Sequence, residues 1–172
     1  MTEHDDLIQT LDLHRQFLLR TAEGLTEEQA RSNSTVSALT IASLLKHVAD
    51  NEAGWVAFAE EGASAMGGDY DPDAAAEGDS EGEAGDTRFL LTDNDTLEFL
   101  RGRLEQVGRD TTDYLRTADL DASQELPKAP WFEPGARWTV RRIALHLIAE
   151  MSQHAGHADI IRESIDGQKT MG

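Results

Sequence analysis

The stretch that decides the fold is residues 139–167, which read TVRRIALHLIAEMSQHAGHADIIRESIDG. The stretch is largely apolar, Thr139 is a suitable N-cap and Gly167 a suitable C-terminal glycine, so it predicts one long helix. His146, Glu150 and His154 follow one another at intervals of four, which places them in a single row on one face of that helix. A row of metal-capable side chains on an otherwise apolar helix indicates one side of a metal site.

Apolar residues at helical spacing predict three further long helices, over residues 5–23, 41–60 and 96–117. Thr40 is placed to cap the second of these, and residues 26–29 read as a capping box that opens a short helical turn. Strand alternation of useful length is absent from the sequence. These features predict an all-α four-helix bundle, and the long connections argue against a minimal bundle with tight turns.

Two of the connections have unusual composition. Residues 62–87 are rich in Gly, Ala, Asp and Glu, and they lack the fixed ligand frame of a calcium loop. Such a segment buries too little apolar surface to offset the entropy of ordering it, so we predict a disordered acidic insertion within one domain spanning residues 1–172. Three prolines in residues 118–138 predict an irregular crossover. We expect its aromatic residues, Trp131, Phe132 and Trp138, to be pinned on the core, and a wall that faces a ligand is the alternative and compatible role.

The composition limits the partners and the compartment. Fifteen Lys and Arg stand against 33 Asp and Glu, a formal charge of −18 that repels nucleic-acid phosphates and anionic membranes. The chain has no cysteine, which excludes disulfides, thiolate metal ligands and a cysteine nucleophile. The sequence shows no signal peptide and no apolar run of the roughly 18–20 residues that span a bilayer. We therefore expect a soluble cytoplasmic protein that binds neither nucleic acid nor membrane.

The spacing of the candidate ligands points to an open metal site. Glu150 and His154 lie about 6 Å apart along the helix axis, so both can bind one ion. A third ligand must come from another helix, and His47, in the middle of the second long helix, is the best candidate. Two histidines and one carboxylate leave positions for water and substrate, which is the catalytic pattern, and they suit zinc best, with nickel and iron(II) as alternatives. His146 and His157 are expected to play supporting roles.

Two segments resemble a known superfamily. TIASLLKHVADNEAGW, which contains His47, Glu52 and Trp55, and HLIAEMSQHAGHADIIRESIDG resemble the two signature segments of the DinB/YfiT-like superfamily. Within it the chain is most similar to the mini-circle protein family of actinobacteria. The resemblance implies a bundle that holds a divalent metal at His47, Glu150 and His154. Many members have histidine at the middle position; glutamate there is similar to the triad of mycothiol-dependent maleylpyruvate isomerase.

The resemblance also implies a class of function. Its members are metal-assisted enzymes that activate a low-molecular-weight thiol such as mycothiol or bacillithiol and pass it to small electrophiles, and a homodimer is expected by the same analogy. A coordinated metal lowers the pKa of a thiol, which produces thiolate at neutral pH. Alternatives stay open: a hydrolase using metal-bound water, a non-catalytic bundle that binds a small ligand or partner in stress or detoxification, and an interaction protein whose acidic insertion contacts a basic partner.

Overall fold

The computed structural model describes residues 2–69 and 87–170. Within these ranges the chain forms five α-helices: α1 (Glu3–Thr21), α2 (Glu27–Ala30), α3 (Ile41–Glu61), α4 (Leu97–Thr117) and α5 (Val140–Asp166). Two short antiparallel strands, β1 (Ser123–Glu125) and β2 (Arg137–Thr139), pair just before α5. The all-α bundle predicted from the sequence is confirmed. No helix in the described ranges is long and apolar enough to cross a membrane.

The helices begin and end where the sequence supplies caps. The Thr40 hydroxyl accepts a hydrogen bond from the Ser43 backbone, and the Ser43 side chain accepts one from the Thr40 backbone, which completes a capping box. At the start of α5 the Thr139 hydroxyl accepts a hydrogen bond from the Arg142 backbone N–H. Gly167 ends α5 at φ 78°, a left-handed conformation that glycine adopts without steric cost. These local signals explain why the predicted helix ends agree closely with the structure.

Helices α3 and α5 pack against each other and run antiparallel. The ring of His47 meets that of His154 at a centroid distance of 4.8 Å, and further along α3 the ring of Trp55 meets that of His146, also at 4.8 Å. Residue numbers therefore increase along α3 in the direction in which they decrease along α5. This register positions the candidate ligands.

Helix α1 packs against α5 and runs in the same direction. Arg141 at the start of α5 pairs with Glu3 at the start of α1, at 2.5 Å. Near the other end the buried Arg162 donates to the backbone carbonyls of Thr21 and Glu23, at 2.8 and 2.7 Å. Arg162 thereby satisfies carbonyls at the end of α1 that have no partner within the helix. This arginine of the second signature segment has a structural role.

Helices α3 and α4 run parallel, which requires a long connection between them. His4 at the start of α1 lies 3.1 Å from the carbonyl of Ala118 at the end of α4, so α4 is antiparallel to α1. The connection between α3 and α4 therefore joins opposite ends of the bundle. Its first part forms a 3₁₀ turn, Ala63–Met66, from which Met66 packs against the core. Most of the acidic insertion predicted for residues 62–87 lies outside the described residues.

A buried ion pair joins α1 and α3 inside the bundle. Arg15 is 4% exposed and Glu52 is 1% exposed. The guanidinium Nη2 donates to Glu52 Oε1 at 2.5 Å and a second nitrogen also pairs with Asp12. Gly108 of α4 lies against this guanidinium, and a Cβ at that glycine would come within 2.6 Å of Arg15 Nε. Glu52, which belongs to the first signature segment, therefore binds an arginine in the core.

The crossover before α5 is more regular than its prolines predict. The strands β1 and β2 are three residues long, too short for alternation to be visible in the sequence. Phe132 and Trp138 pack against the core, as expected. The expectation that Trp131 is pinned on the core is wrong, because its side chain is 66% exposed and meets the ring of Phe132 only edge-on, at 6.2 Å.

Candidate metal centre

The antiparallel register of α3 and α5 brings the three predicted ligands together. The nitrogen and oxygen ligand atoms of His47, Glu150 and His154 all lie within 4.8 Å of one another. Both histidines are buried and Glu150 is half-buried. The imidazole rings meet nearly at right angles, with an interplanar angle of 78°. The structure thus unites the predicted set, and metal binding by that set stays a prediction.

The surroundings of His154 suit a ligand to a cation. Burial lowers the pKa of this imidazole, and the neighbouring His47 lowers it further, against the opposing effect of Glu150. Its Nε2 lies 3.7 Å from Glu150 Oε2, too far for a hydrogen bond, and its Nδ1 is buried without a partner within the described ranges. A neutral imidazole keeps a lone pair for a metal. The set of two nitrogens and one carboxylate oxygen fits zinc.

Two residues that the sequence analysis did not assign to the site support the ligands. Asn51 donates from Nδ2 to Glu150 Oε2 at 3.1 Å, which orients the carboxylate. Phe89 lies over the ring of His47 at a centroid distance of 4.3 Å. Asn51 could have been found, because it follows His47 by one helical turn and so shares its face. Phe89 belongs to the turn Thr87–Phe89, and nothing in the sequence of that turn indicates that it contacts His47.

His146, the first member of the row on α5, packs among tryptophans and lies outside the ligand group. Its ring meets Trp55 at 4.8 Å and Trp138 at 5.2 Å, edge-on in both contacts. The two indoles stack at 4.7 Å with an angle of 10° between their planes. Burial lowers the pKa of His146, and Arg142 nearby adds to this effect against the opposing charge of Glu150. We call Trp55, Trp138 and His146 the aromatic wall.

His157 lies on the other side of the ligands along α5. Its ring is 5.6 Å from that of His154, at an angle of 61°. Its Nδ1 is buried and has no hydrogen-bond partner among the residues that the structure describes. The position next to a ligand ring agrees with the supporting role predicted for His157, and that role stays a prediction.

Comparison with known proteins identifies the family. A family model described as mycothiol-S-transferase matches residues 6–167. The chain belongs to the mycothiol-S-transferase family. The resemblance to the DinB/YfiT-like superfamily is thereby confirmed, and a comparison with curated proteins gave no match.

A solved structure shares the fold of this mycothiol-S-transferase family member. It is titled "Crystal structure of the conserved protein of locus from Enterococcus faecalis". The two chains align with a TM-score of 0.66 over 98% of this chain and 99% of that one. Their sequences are only 16% identical, so the likeness shows the fold alone.

A cleft of about 330 Å³ opens beside the ligands of this mycothiol-S-transferase family member, and it is lined by His47, Asp50, Asn51, Gly54, Trp55, Met66 and Arg88. Of the candidate ligands only His47 lines this cleft, and its neighbour Asn51 orients Glu150, so the cleft adjoins the site on the side of His47. Glu150 and His154 line a separate cavity of about 10 Å³, which also contacts Asn51. Trp55 and Met66 give the cleft an apolar side, while Asp50 and Arg88 place one charge of each sign at it. A larger groove, about 590 Å³ between α1 and α4, contains none of the three ligands.

Proposed function

We propose that the protein is a metal-dependent transferase that passes a low-molecular-weight thiol of the mycothiol type to a small electrophile. The observation that carries this proposal is the convergence of His47, Glu150 and His154 beside an accessible cleft. The family match supports the thiol as the cosubstrate. The chain has no cysteine of its own, so the reacting sulfur has to come from a second molecule.

The residues of the chain have separate tasks in this proposal. His47 and His154 supply imidazole nitrogens, Glu150 supplies a carboxylate oxygen, and Asn51 holds that carboxylate in place. These ligands prefer zinc among the divalent metals. Such a metal, when bound, would lower the pKa of the cosubstrate thiol. In an addition, the thiol S–H bond and the π bond of the electrophile break, an S–C bond forms, and the proton is bound by the other atom of the former double bond.

The cleft binds and orients the two small molecules in this proposal. The indole of Trp55 offers a flat apolar surface two helical turns from His47 on the same side of α3, and its position is held by stacking on Trp138 at 4.7 Å. Apolar contacts there exclude water from the reacting sulfur, which favours transfer to the electrophile over hydrolysis. Arg88 and Asp50 provide charged groups for polar parts of either molecule.

The proposal predicts that gently purified protein contains about one divalent ion per chain, as expected for a set of three protein ligands. It should catalyse loss of mycothiol in the presence of a suitable electrophile, with a chelator abolishing turnover and added zinc restoring it. Elemental analysis and a thiol-consumption assay over a panel of electrophiles measure both, with thiol-free reactions as controls. Protein that neither contains nor takes up metal contradicts the metal centre. Metal without thiol-dependent turnover supports the non-catalytic alternative.

Replacing Asn51 with alanine tests how the carboxylate ligand is held. The hydrogen bond to Glu150 Oε2 is lost, and we expect metal affinity to fall about 10- to 100-fold, the range for residues that orient a ligand. Competition with a chromophoric chelator measures the affinity. Asp50→Ala is the matched control, because Asp50 directly precedes Asn51 and its side chain pairs with Lys46 and Arg103 instead of with Glu150. Equal affinities in the two variants would show that Asn51 does not position the ligand.

A further inference from the structure

Gly54 lies in the interior of α3 and lines the cleft beside the candidate ligands. Apart from proline, glycine is the least favourable residue in a helix interior, so its presence there needs a reason. Beyond its chain neighbours and its own helix backbone, no atom of the described residues lies within 4 Å of the position that a Cβ would take. Gly108 differs, because its missing side chain makes room for Arg15. Contacts within the described part of the bundle therefore do not explain Gly54.

Two uncharged side chains, those of Trp55 and Met66, line the same cleft as Gly54. The indole of Trp55 is held by stacking on Trp138, with the ring centroids 4.7 Å apart and an angle of 10° between the planes. Met66 packs against the core from the turn Ala63–Met66. We call Gly54, Trp55 and Met66 the apolar seat. It combines the space left by the glycine with a fixed aromatic ring and a polarizable thioether.

The side chains of the apolar seat favour a flat apolar ring as the ligand. An aromatic ring can pack on an indole in an offset or edge-on geometry, and a methionine sulfur makes favourable contacts with ring edges. A charged group would lose hydration in the seat without gaining a counter-charge from it. Asp50, which also lines the cleft, already pairs with Lys46 at 3.3 Å and with Arg103 at 2.5 Å, so a cationic ligand gains little from its carboxylate.

We propose that the apolar seat binds the ring of an aromatic electrophile and that Gly54 determines this specificity by leaving room for the ring. Gly54 and Trp55 follow His47 by seven and eight residues, so they lie about 10–12 Å from that candidate ligand along the axis of α3. A ring with a linker of a few atoms spans this distance and brings a reactive carbon towards His47. The inference rests on the proposed thiol transfer for the role of the ligand as electrophile, whereas binding of the ring itself requires no thiol.

Binding of 2-naphthalenemethanol, a flat and unreactive molecule, tests the apolar seat without thiol and is measured by calorimetry. Gly54→Leu fills the space and should raise the dissociation constant at least about tenfold. The same substitution should raise the midpoint of thermal unfolding by about 2–4 °C, since leucine is a better helix former, so weaker binding would not reflect a damaged fold. Gly102→Leu is the matched control, because Gly102 is an exposed glycine within α4, has equally open surroundings among the described residues and does not line the cleft. It should stabilise the fold similarly and leave binding unchanged.

Transfer of mycothiol to N-benzyl and N-ethyl chloroacetamide tests the role of the ring in the reaction. In both, an S–C bond forms, the C–Cl bond breaks, chloride leaves and the thiol proton passes to solvent. The unaltered protein should show a kcat/KM about tenfold higher for the benzyl compound, and Gly54→Leu should reduce this ratio to about one.

Each outcome of the two measurements has a separate meaning. Equal affinity of the unaltered protein and Gly54→Leu for 2-naphthalenemethanol, or no binding at roughly 1 mM, overturns the apolar seat. Equal kcat/KM for the two chloroacetamides in the unaltered protein overturns the specificity while leaving thiol transfer intact. Ring binding that Gly54→Leu weakens, without transfer to either chloroacetamide, supports the seat and contradicts the proposed thiol transfer.

Discussion

Replacing Glu52 with alanine is expected to lower the free energy of unfolding by about 3–5 kcal/mol, the range for removal of one partner from a buried ion pair. The substitution leaves the guanidinium of Arg15, which is 4% exposed, without its main counter-charge. Gly108 of α4 packs against one side of the guanidinium, and the low exposure of Arg15 limits the access of water. A domain is typically stable by about 5–15 kcal/mol, so this loss would remove a large share. Denaturant unfolding monitored by circular dichroism measures the effect.

An exposed ion pair provides the control for this prediction. Asp113 and Arg116 pair at 2.9 Å on α4, but their side chains are 72% and 64% exposed. Asp113→Ala should therefore cost about 0–1 kcal/mol. A combined Arg15→Met and Glu52→Leu variant removes both buried charges and should recover much of the stability lost in Glu52→Ala. If Glu52→Ala lowers the free energy of unfolding no more than Asp113→Ala does, the Arg15–Glu52 pair is solvated and does not stabilise the fold as proposed.

The register of α3 and α5 explains how one arrangement serves several purposes. On α3, His47, Asn51 and Trp55 follow one another at intervals of four and face α5. They meet, in order, His154, Glu150 and His146 on the antiparallel helix. The first of these contacts joins two candidate ligands, the second is the hydrogen bond to the Glu150 carboxylate, and the third belongs to the aromatic wall. Glu52 is offset from this row on α3 and reaches Arg15 of α1 instead, so one helix serves the site and the core.

The sequence predicts those parts of the structure that depend on local signals. The spacing of Glu150 and His154 is a property of one helix, as are the caps at Thr40 and Thr139, and all of these are found where expected. The choice of His47 required a second helix, and it depended on the position of His47 in the middle of α3 and on the family resemblance. The structure brings His47 close to Glu150 and His154, and its role as a ligand stays a prediction.

The features missed from the sequence depend on contacts between distant segments. The stacking of Trp138 on Trp55 requires β2 to cross the end of α3, and the contact of Phe89 with His47 requires the chain to return to the bundle at one point. The partner of Glu52 is 37 residues away, on a helix diagonal to its own. Apolar character alone predicted burial for Trp131, which the crossover leaves exposed. The spacing of apolar residues along the sequence does not indicate which distant segments come into contact.

Replacing Glu150 with alanine should weaken metal binding by roughly 100- to 1000-fold. Structural zinc sites bind with about 10–16 kcal/mol, and an equal share for each of four ligands is about 2.5–4 kcal/mol, which corresponds to a factor of that order. Glu150 is also the only anionic member of the group, so its loss removes the charge that offsets the cation. Titration of metal-free protein against a competing chelator measures the affinity, and elemental analysis of the purified variant should find it largely empty.

His146→Ala is the matched control, since it removes a histidine one turn before Glu150 on the same helix. Its ring packs on Trp55 and Trp138, at 4.8 and 5.2 Å, and belongs to the aromatic wall instead of the ligand group. Metal affinity should therefore change by no more than a few-fold, although packing and stability suffer. If His146→Ala loses metal and Glu150→Ala retains it, the ligands lie along the α5 row towards the tryptophans, and the site built on His47, Glu150 and His154 is wrong. The opposite result assigns Glu150 to the ligand group and places His146 outside it, as the proposed site requires.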